Sequence, residues 1–125
     1  MEFISTRNAS KENESVLSAE AIKNGLAKNG GLYMPTEIPA LTKEDLSALK
    51  ACTYPECAAK ILSLFLTDYS YKELLKDAKA AYSKKSFPDG AVGLRGVDNG
   101  NYFLELWRGP TCAFKDVALQ LLPHL

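Results

Sequence analysis

Residues 55–82, PECAAKILSLFLTDYSYKELLKDAKAAY, predict two successive amphipathic helices and thereby decide the fold class of the first part of the chain. Pro55 suits the first turn of a helix, where its missing N–H needs no partner. One face of this helix is apolar and expected to be buried: Cys57, Ala58, Ile61, Leu62 and Phe65. Ser70 and Glu73 form a capping box that starts the next helix. The buried stripe of that helix comprises Leu74, Leu75, Ala78, Ala81 and Tyr82.

The segments that precede this pair predict a strand and two more helices. Residues 3–7 have strand character, and the polar run 8–15 is typical of a loop. A first helix is expected over about residues 19–28, capped by the Ser18 hydroxyl and ended by the Asn-Gly-Gly run at 29–31.

A second N-terminal helix is expected from residue 43 to about residue 50. Thr42 can cap it, and Asp45 three residues later can return a hydrogen bond. The helices therefore predominate in the first two thirds of the chain.

The pattern changes after residue 87 to short apolar segments. Asn99-Gly100 is a strong signal for a type I′ hairpin turn, and residues 102–107 resemble a strand. We therefore predict an α+β chain with a mainly helical domain over residues 1–86. The hairpin and helix of residues 87–125 would begin a second, α/β domain.

Composition excludes several functional classes. The 125 residues carry 15 Lys and Arg against 15 Asp and Glu, so the chain lacks the basic field that attracts nucleic acids or anionic membranes. No apolar stretch approaches the roughly 20 residues of a membrane span, and we expect a cytoplasmic protein. Cys52, Cys57 and Cys112 form no Cys-x-x-Cys pair, so we expect reduced thiols and no metal site.

Residues 113–122, AFKDVALQLL, predict an apolar helix that carries a lysine in its first turn. Lys115 shares its face with Leu119 and Leu122, which predicts burial. Burial and the positive end of the helix dipole both disfavour an ammonium ion at this position. The resulting neutral amine is the nucleophile that condenses with an aldehyde. Gly109 would allow the tight turn that places this lysine at a strand-to-helix junction, where α/β folds bind ligands.

The same residues have a simpler interpretation. Lysines often begin helices with the stem on apolar surface and the ammonium group in water, especially beside an acid. The helix dipole by itself explains Asp116, to which we assign no catalytic role. Local chemistry leaves both interpretations of Lys115 open.

Three segments carry a resemblance to a known family. Residues 104–120, LELWRGPTCAFKDVALQ, are similar to the cofactor-lysine segment of threonine synthases. Residues 5–7, STR, and residues 25–35, GLAKNGGLYMP, are similar to the opening of the same family, in the same order. The resemblance covers nearly the whole chain and is weakest between residues 40 and 90.

The resemblance implies a pyridoxal 5′-phosphate (PLP) enzyme of fold-type II that converts O-phosphohomoserine and water to threonine and phosphate. Lys115 would be the Schiff-base lysine, which binds the cofactor and moves protons on the substrate. Residues 87–125 would begin the PLP-binding domain. The glycine-rich loop expected to hold the PLP phosphate is absent from these 125 residues. We therefore expect the remainder of its own chain as a partner, and no activity from these residues alone.

Two alternatives follow from the sequence. The family usually has histidine where this chain has Arg108, and a diverged lyase that only eliminates phosphate would share the same lysine motif. A non-catalytic helical binding module, in which Lys115 is a surface residue, is the alternative from a different class. The apolar run 117–122 argues against the module, because a self-contained surface helix would not show it.

Overall fold

The structure, a computed structural model, describes residues 1–7 and 15–125 and has the predicted α+β composition. The predicted loop over residues 8–15 lies, apart from Ser15, outside the described residues. The strands are β1 (Phe3–Ser5), β2 (Tyr33–Pro35), β3 (Gly93–Gly96) and β4 (Tyr102–Glu105). The helices are α1 (Ser18–Asn24), α2 (Lys43–Leu49), α3 (Tyr54–Phe65), α4 (Tyr71–Ala81) and α5 (Asp116–Leu119). Short 3₁₀ turns cover Asp98–Gly100 and Leu122–His124.

Helices α3 and α4 pack against each other and form the core. The predicted buried stripe of α4 is confirmed at Leu74, Ala78 and Ala81. The predicted face of α3 is only partly buried, and the buried residue of that helix is Ala59. Ala59 of α3 and Leu74 of α4 are fully buried, and Leu66 of the connecting loop completes the cluster. The predicted capping box of α4 is present: Ser70 N donates to Glu73 Oε2 at 2.9 Å, and Glu73 N donates to Ser70 Oγ at 3.3 Å. Local capping and apolar periodicity therefore define both helices.

Helix α3, with 12 residues, is the longest of the described helices. No helix within residues 1–7 and 15–125 combines the length and the apolar character needed to cross a membrane.

Helix α1 differs from its prediction at both ends. It ends at Asn24, because Gly25 adopts a left-handed φ of 69° four residues before the predicted stop signal. Ser18 is its first residue and does not cap it. The acceptor at its start is Asp68 of the α3–α4 loop, which accepts hydrogen bonds from Ser18 Oγ and, at 2.9 Å, from Ala19 N. Although burial alone would raise the pKa of Asp68, these hydrogen bonds hold it below its usual value.

Strand β2 is a finding that the sequence did not predict. It pairs antiparallel with β1, with Ile4 opposite Met34. The Asn29 side chain joins the ends of the two strands, because its Oδ1 accepts from Ser5 Oγ at 2.6 Å and from Gly31 N at 3.1 Å. The three-residue strands are too short to show a sequence period, and the pairing is therefore visible only in the structure.

The second hairpin forms at the predicted Asn-Gly position, but its loop is longer than a two-residue type I′ turn. Strands β3 and β4 pair antiparallel, with Leu94 opposite Leu104, and Val97 N donates to Asn101 O at 2.9 Å, so the three residues Asp98–Gly100 form the loop. Asn99 and Gly100 have positive φ of 62° and 76°, a conformation that asparagine and glycine tolerate. Strand β4 ends at Glu105 and not at residue 107 as predicted.

Candidate functional site

Lys115 lies directly before α5, with helical backbone angles of φ −64° and ψ −23°. The predicted helix from residue 114 is shorter than expected: α5 ends at Leu119, and a 3₁₀ turn follows. The prediction that Lys115 is buried is wrong for the described chain, where its side chain is exposed. Phe114, Leu119 and Leu122 are also half to two-thirds exposed, because α5 contacts the rest of the chain along one side only.

Asp116 is the buried residue of this segment, with 1% of its surface exposed. Its carboxylate accepts two hydrogen bonds from one residue five positions earlier. Thr111 N donates to Asp116 Oδ2 at 2.8 Å, and Thr111 Oγ1 donates to Asp116 Oδ1 at 2.8 Å. The two bonds close residues 111–116 into a fixed loop, with Lys115 next to its closing residue. We call this loop, together with residues 109 and 110 that lead into it, the lysine loop.

Two further features make the lysine loop tight. A Cβ at Gly109 would lie 2.6 Å from Asp116 Oδ2, so only glycine fits at this position. Cys112 has a left-handed φ of 58°, which is uncommon for a residue with a Cβ and costs on the order of 1 kcal/mol. Cys112 N also donates to Gly109 O at 3.2 Å. The Asp116–Thr111 hydrogen bonds therefore hold a backbone conformation that the sequence would not adopt by preference.

Sequence reasoning missed Asp116, which it explained by the helix dipole alone. A threonine five residues before the acid, with a glycine and a proline just ahead of it, was the available signal for such a loop. That spacing is compatible with many other structures, so the tertiary arrangement was needed to reveal the contact.

Tyr82, the residue directly after α4, contacts α5. The Tyr82 hydroxyl donates to the carbonyl oxygen of Val117 at 3.0 Å, across 35 positions of sequence. Burial, and to a smaller extent the neighbouring Tyr54, raises the pKa of Tyr82 to about 12. The hydroxyl therefore stays protonated and able to donate throughout the neutral pH range.

Arg108, three residues after the end of β4, contacts the β3–β4 hairpin and Asp89. Its Nε and Nη2 donate to Glu105 Oε2 at 3.2 and 2.5 Å, and its Nη1 donates to Asp89 O at 2.5 Å. The guanidinium lies against Gly93, where a Cβ would overlap it. Arg108 is therefore a structural contact between β3, β4 and residue 89.

The family model described as Threonine synthase N terminus matches residues 2–82 of this chain. The chain belongs to that family. Threonine synthase from Schizosaccharomyces pombe is 40% identical over 125 residues, which cover 98% of this chain and 24% of the relative. The family resemblance inferred from the sequence is thus confirmed, and the chain spans about a quarter of the length of the curated threonine synthases it matches.

Solved threonine synthases share this fold. The PLP-bound threonine synthase from Brucella melitensis superposes with a TM-score of 0.87 and 36% identity, covering 99% of this chain and 26% of that one. The threonine synthase from Escherichia coli superposes with a TM-score of 0.78 and 29% identity, covering 99% and 28%. The match to the threonine synthase family model ends at Tyr82, directly after α4, so Lys115 lies outside the matched segment and its role stays a prediction.

The described residues fit one part of PLP. A primary amine on a fixed loop has the chemistry for covalent attachment to an aldehyde, and Lys115 carries such an amine.

Proposed function

We propose that this chain is the N-terminal part of a threonine synthase whose full-length form converts O-phosphohomoserine and water to threonine and phosphate. The observation that supports the proposal is the lysine loop, in which Asp116 and Thr111 hold the backbone next to Lys115 in place. The similarity to threonine synthases over nearly the whole chain supports it further.

PLP, when bound, supplies an electron sink for the carbon chemistry of the substrate. The Lys115 Nζ would hold the cofactor covalently and would move protons on the substrate. Asp116 accepts hydrogen bonds from Thr111 and so keeps the Lys115 backbone fixed while its side chain reacts. Because the backbone is fixed, only the side-chain torsions of Lys115 determine where its amine lies.

The remaining parts of the proposal concern organisation. Residues 1–86 would form the N-terminal helical domain, and residues 87–125 would begin a PLP-binding domain of fold-type II. The rest of the polypeptide would supply the contacts to the PLP phosphate and to the substrate. Residues 1–125 alone would accordingly be inactive, and the protein would act in threonine biosynthesis in the cytoplasm.

Borohydride reduction of the PLP-loaded full-length protein should leave a pyridoxyl group on Lys115. A lysine amine condenses with the aldehyde of PLP, and reduction makes the attachment permanent. Peptide mass spectrometry identifies the modified lysine. Pyridoxyl confined to a different lysine would refute the assignment, and a full-length protein that takes up no PLP would favour the non-catalytic binding module.

Arg108 supports a second candidate, a diverged lyase that only eliminates phosphate from phosphohomoserine or phosphothreonine. If Arg108 determines the outcome, Arg108→His in the full-length protein should change the ratio of threonine to elimination product several-fold, since the two side chains differ in charge and reach. Chromatography of the products measures the ratio.

Glu105→Gln is the matched control for this substitution. It weakens the ion pair with Arg108 but keeps the guanidinium in the protein. An equal shift in both variants would mean that loosening of the hairpin, and not the guanidinium itself, changes the products. An unchanged ratio in Arg108→His would leave Arg108 as a packing difference only.

A further inference from the structure

Tyr82 replaces a backbone donor that α5 lacks. In a regular α-helix, the carbonyl of Val117 would accept from the N–H of Leu121. Leu121 N instead donates to Ala118 O at 3.1 Å, which tightens the chain into a 3₁₀ arrangement. The carbonyl of Val117 accepts from the Tyr82 hydroxyl at 3.0 Å. A side chain of the helical part of the molecule therefore completes the hydrogen bonding of the segment that follows Lys115.

An aromatic cluster holds this hydroxyl in place. The ring of Tyr82 makes an edge-to-face contact with Tyr54, with centroids 4.9 Å apart and an interplanar angle of 87°. Phe87, of which 2% is exposed, packs on Tyr82 at 5.9 Å. Contacts of this geometry favour one ring orientation over others. The direction of the hydroxyl is thus determined by α3, α4 and residue 87 together.

The backbone of Lys115 belongs to the same hydrogen-bonded unit. Its carbonyl oxygen accepts from Ala118 N at 3.0 Å and from Leu119 N at 2.8 Å. The next residue, Asp116, accepts a hydrogen bond from Thr111, which lies four positions before Lys115. Lys115 therefore lies between two fixed points, Thr111 within the lysine loop and Tyr82 on the helical core.

We propose that Tyr82 is a positioning residue, through which helices α3 and α4 orient α5 and thereby set the reactivity of the Lys115 amine. The effect of Tyr82 on turnover rests on the proposed function. The effect of Tyr82 on how well ordered α5 is does not depend on that function. The helical part of the chain would then act on the reaction without contacting substrate or cofactor.

The test compares Tyr82→Phe with Tyr54→Phe in the full-length protein. Both substitutions remove one hydroxyl and keep the aromatic ring, but the Tyr54 hydroxyl makes no hydrogen bond to α5 among the described residues. In the apoprotein, amide hydrogen exchange over residues 116–122 should be about fivefold faster in Tyr82→Phe, the factor expected for the loss of one neutral hydrogen bond. In the loaded enzyme, kcat should fall by a similar factor with little change in KM. Tyr54→Phe should change neither quantity more than about twofold.

The outcomes separate this inference from the proposed function. Unchanged exchange in Tyr82→Phe would overturn the inference, as would equal effects of the two variants. Loss of the helical circular dichroism signal in Tyr82→Phe, with a normal signal in Tyr54→Phe, would also overturn the inference. The Tyr82 hydroxyl would then be required for folding and not for the orientation of α5. Faster exchange together with a wild-type protein in which borohydride labels no Lys115 would reject Lys115 as the cofactor lysine and retain the role of Tyr82 in ordering α5.

Discussion

Full-length protein that carries Lys115→Ala should lose turnover of O-phosphohomoserine by roughly 10⁴-fold or more, the order of loss that follows removal of a covalent catalytic group. Because the amine takes part in covalent chemistry, kcat should fall and no increase in substrate concentration should restore it. Release of phosphate and formation of threonine, measured at saturating substrate, provide the assay. The same variant should bind PLP only weakly and reversibly, because the covalent attachment is lost.

Lys84→Ala is the matched control for this prediction. Lys84 is an exposed lysine in the turn after α4, as Lys115 is an exposed lysine before α5. Its replacement removes the same charge from the surface and should leave kcat and KM within about twofold of wild type, as expected for surface positions. A Lys115→Ala enzyme with near-normal turnover would exclude Lys115 as the cofactor lysine, even if the chain is part of an active threonine synthase.

Asp116→Ala should destabilise the full-length apoprotein by about 2–3 kcal/mol, the range for losing buried hydrogen bonds to a charged acceptor. The substitution leaves Thr111 N and Thr111 Oγ1 without their acceptor. It also releases the left-handed conformation of Cys112, so the lysine loop should become mobile and borohydride labelling of Lys115 should fall. Urea unfolding measures the first effect, and peptide mass spectrometry measures the second.

Three other variants make the Asp116 result specific. Asp98→Ala removes an exposed acid from the hairpin turn and should cost less than about 0.5 kcal/mol, as surface substitutions usually do. Thr111→Ser keeps the hydroxyl donor and should resemble wild type, whereas Thr111→Val keeps the shape without the donor and should reproduce part of the Asp116→Ala loss. Equal stability of Thr111→Ser and Thr111→Val would show that the hydroxyl bond contributes nothing.

Local signals in the sequence determined the helical core and the second hairpin. The capping residues and apolar periodicity of α3 and α4 act within a few positions of each other, so the same contacts form in the structure. The turn of Asn99 and Gly100 depends on the tolerance of these two residues for positive φ, which is a property of the residues themselves. The motif around Lys115 was also specific enough to indicate the family before any fold was known.

The contacts that the sequence did not predict join residues far apart in the chain. Asp68 caps α1 from about 50 positions away, β2 pairs with β1 across about 30 positions, and Tyr82 reaches Val117 across 35. Each of these contacts depends on a hydrogen-bonding group whose local sequence offers several partners, and the tertiary arrangement selects one of them. The sequence by itself therefore determined the helical core, the second hairpin and which lysine to test. The tertiary structure decided which side chains hold that lysine in place.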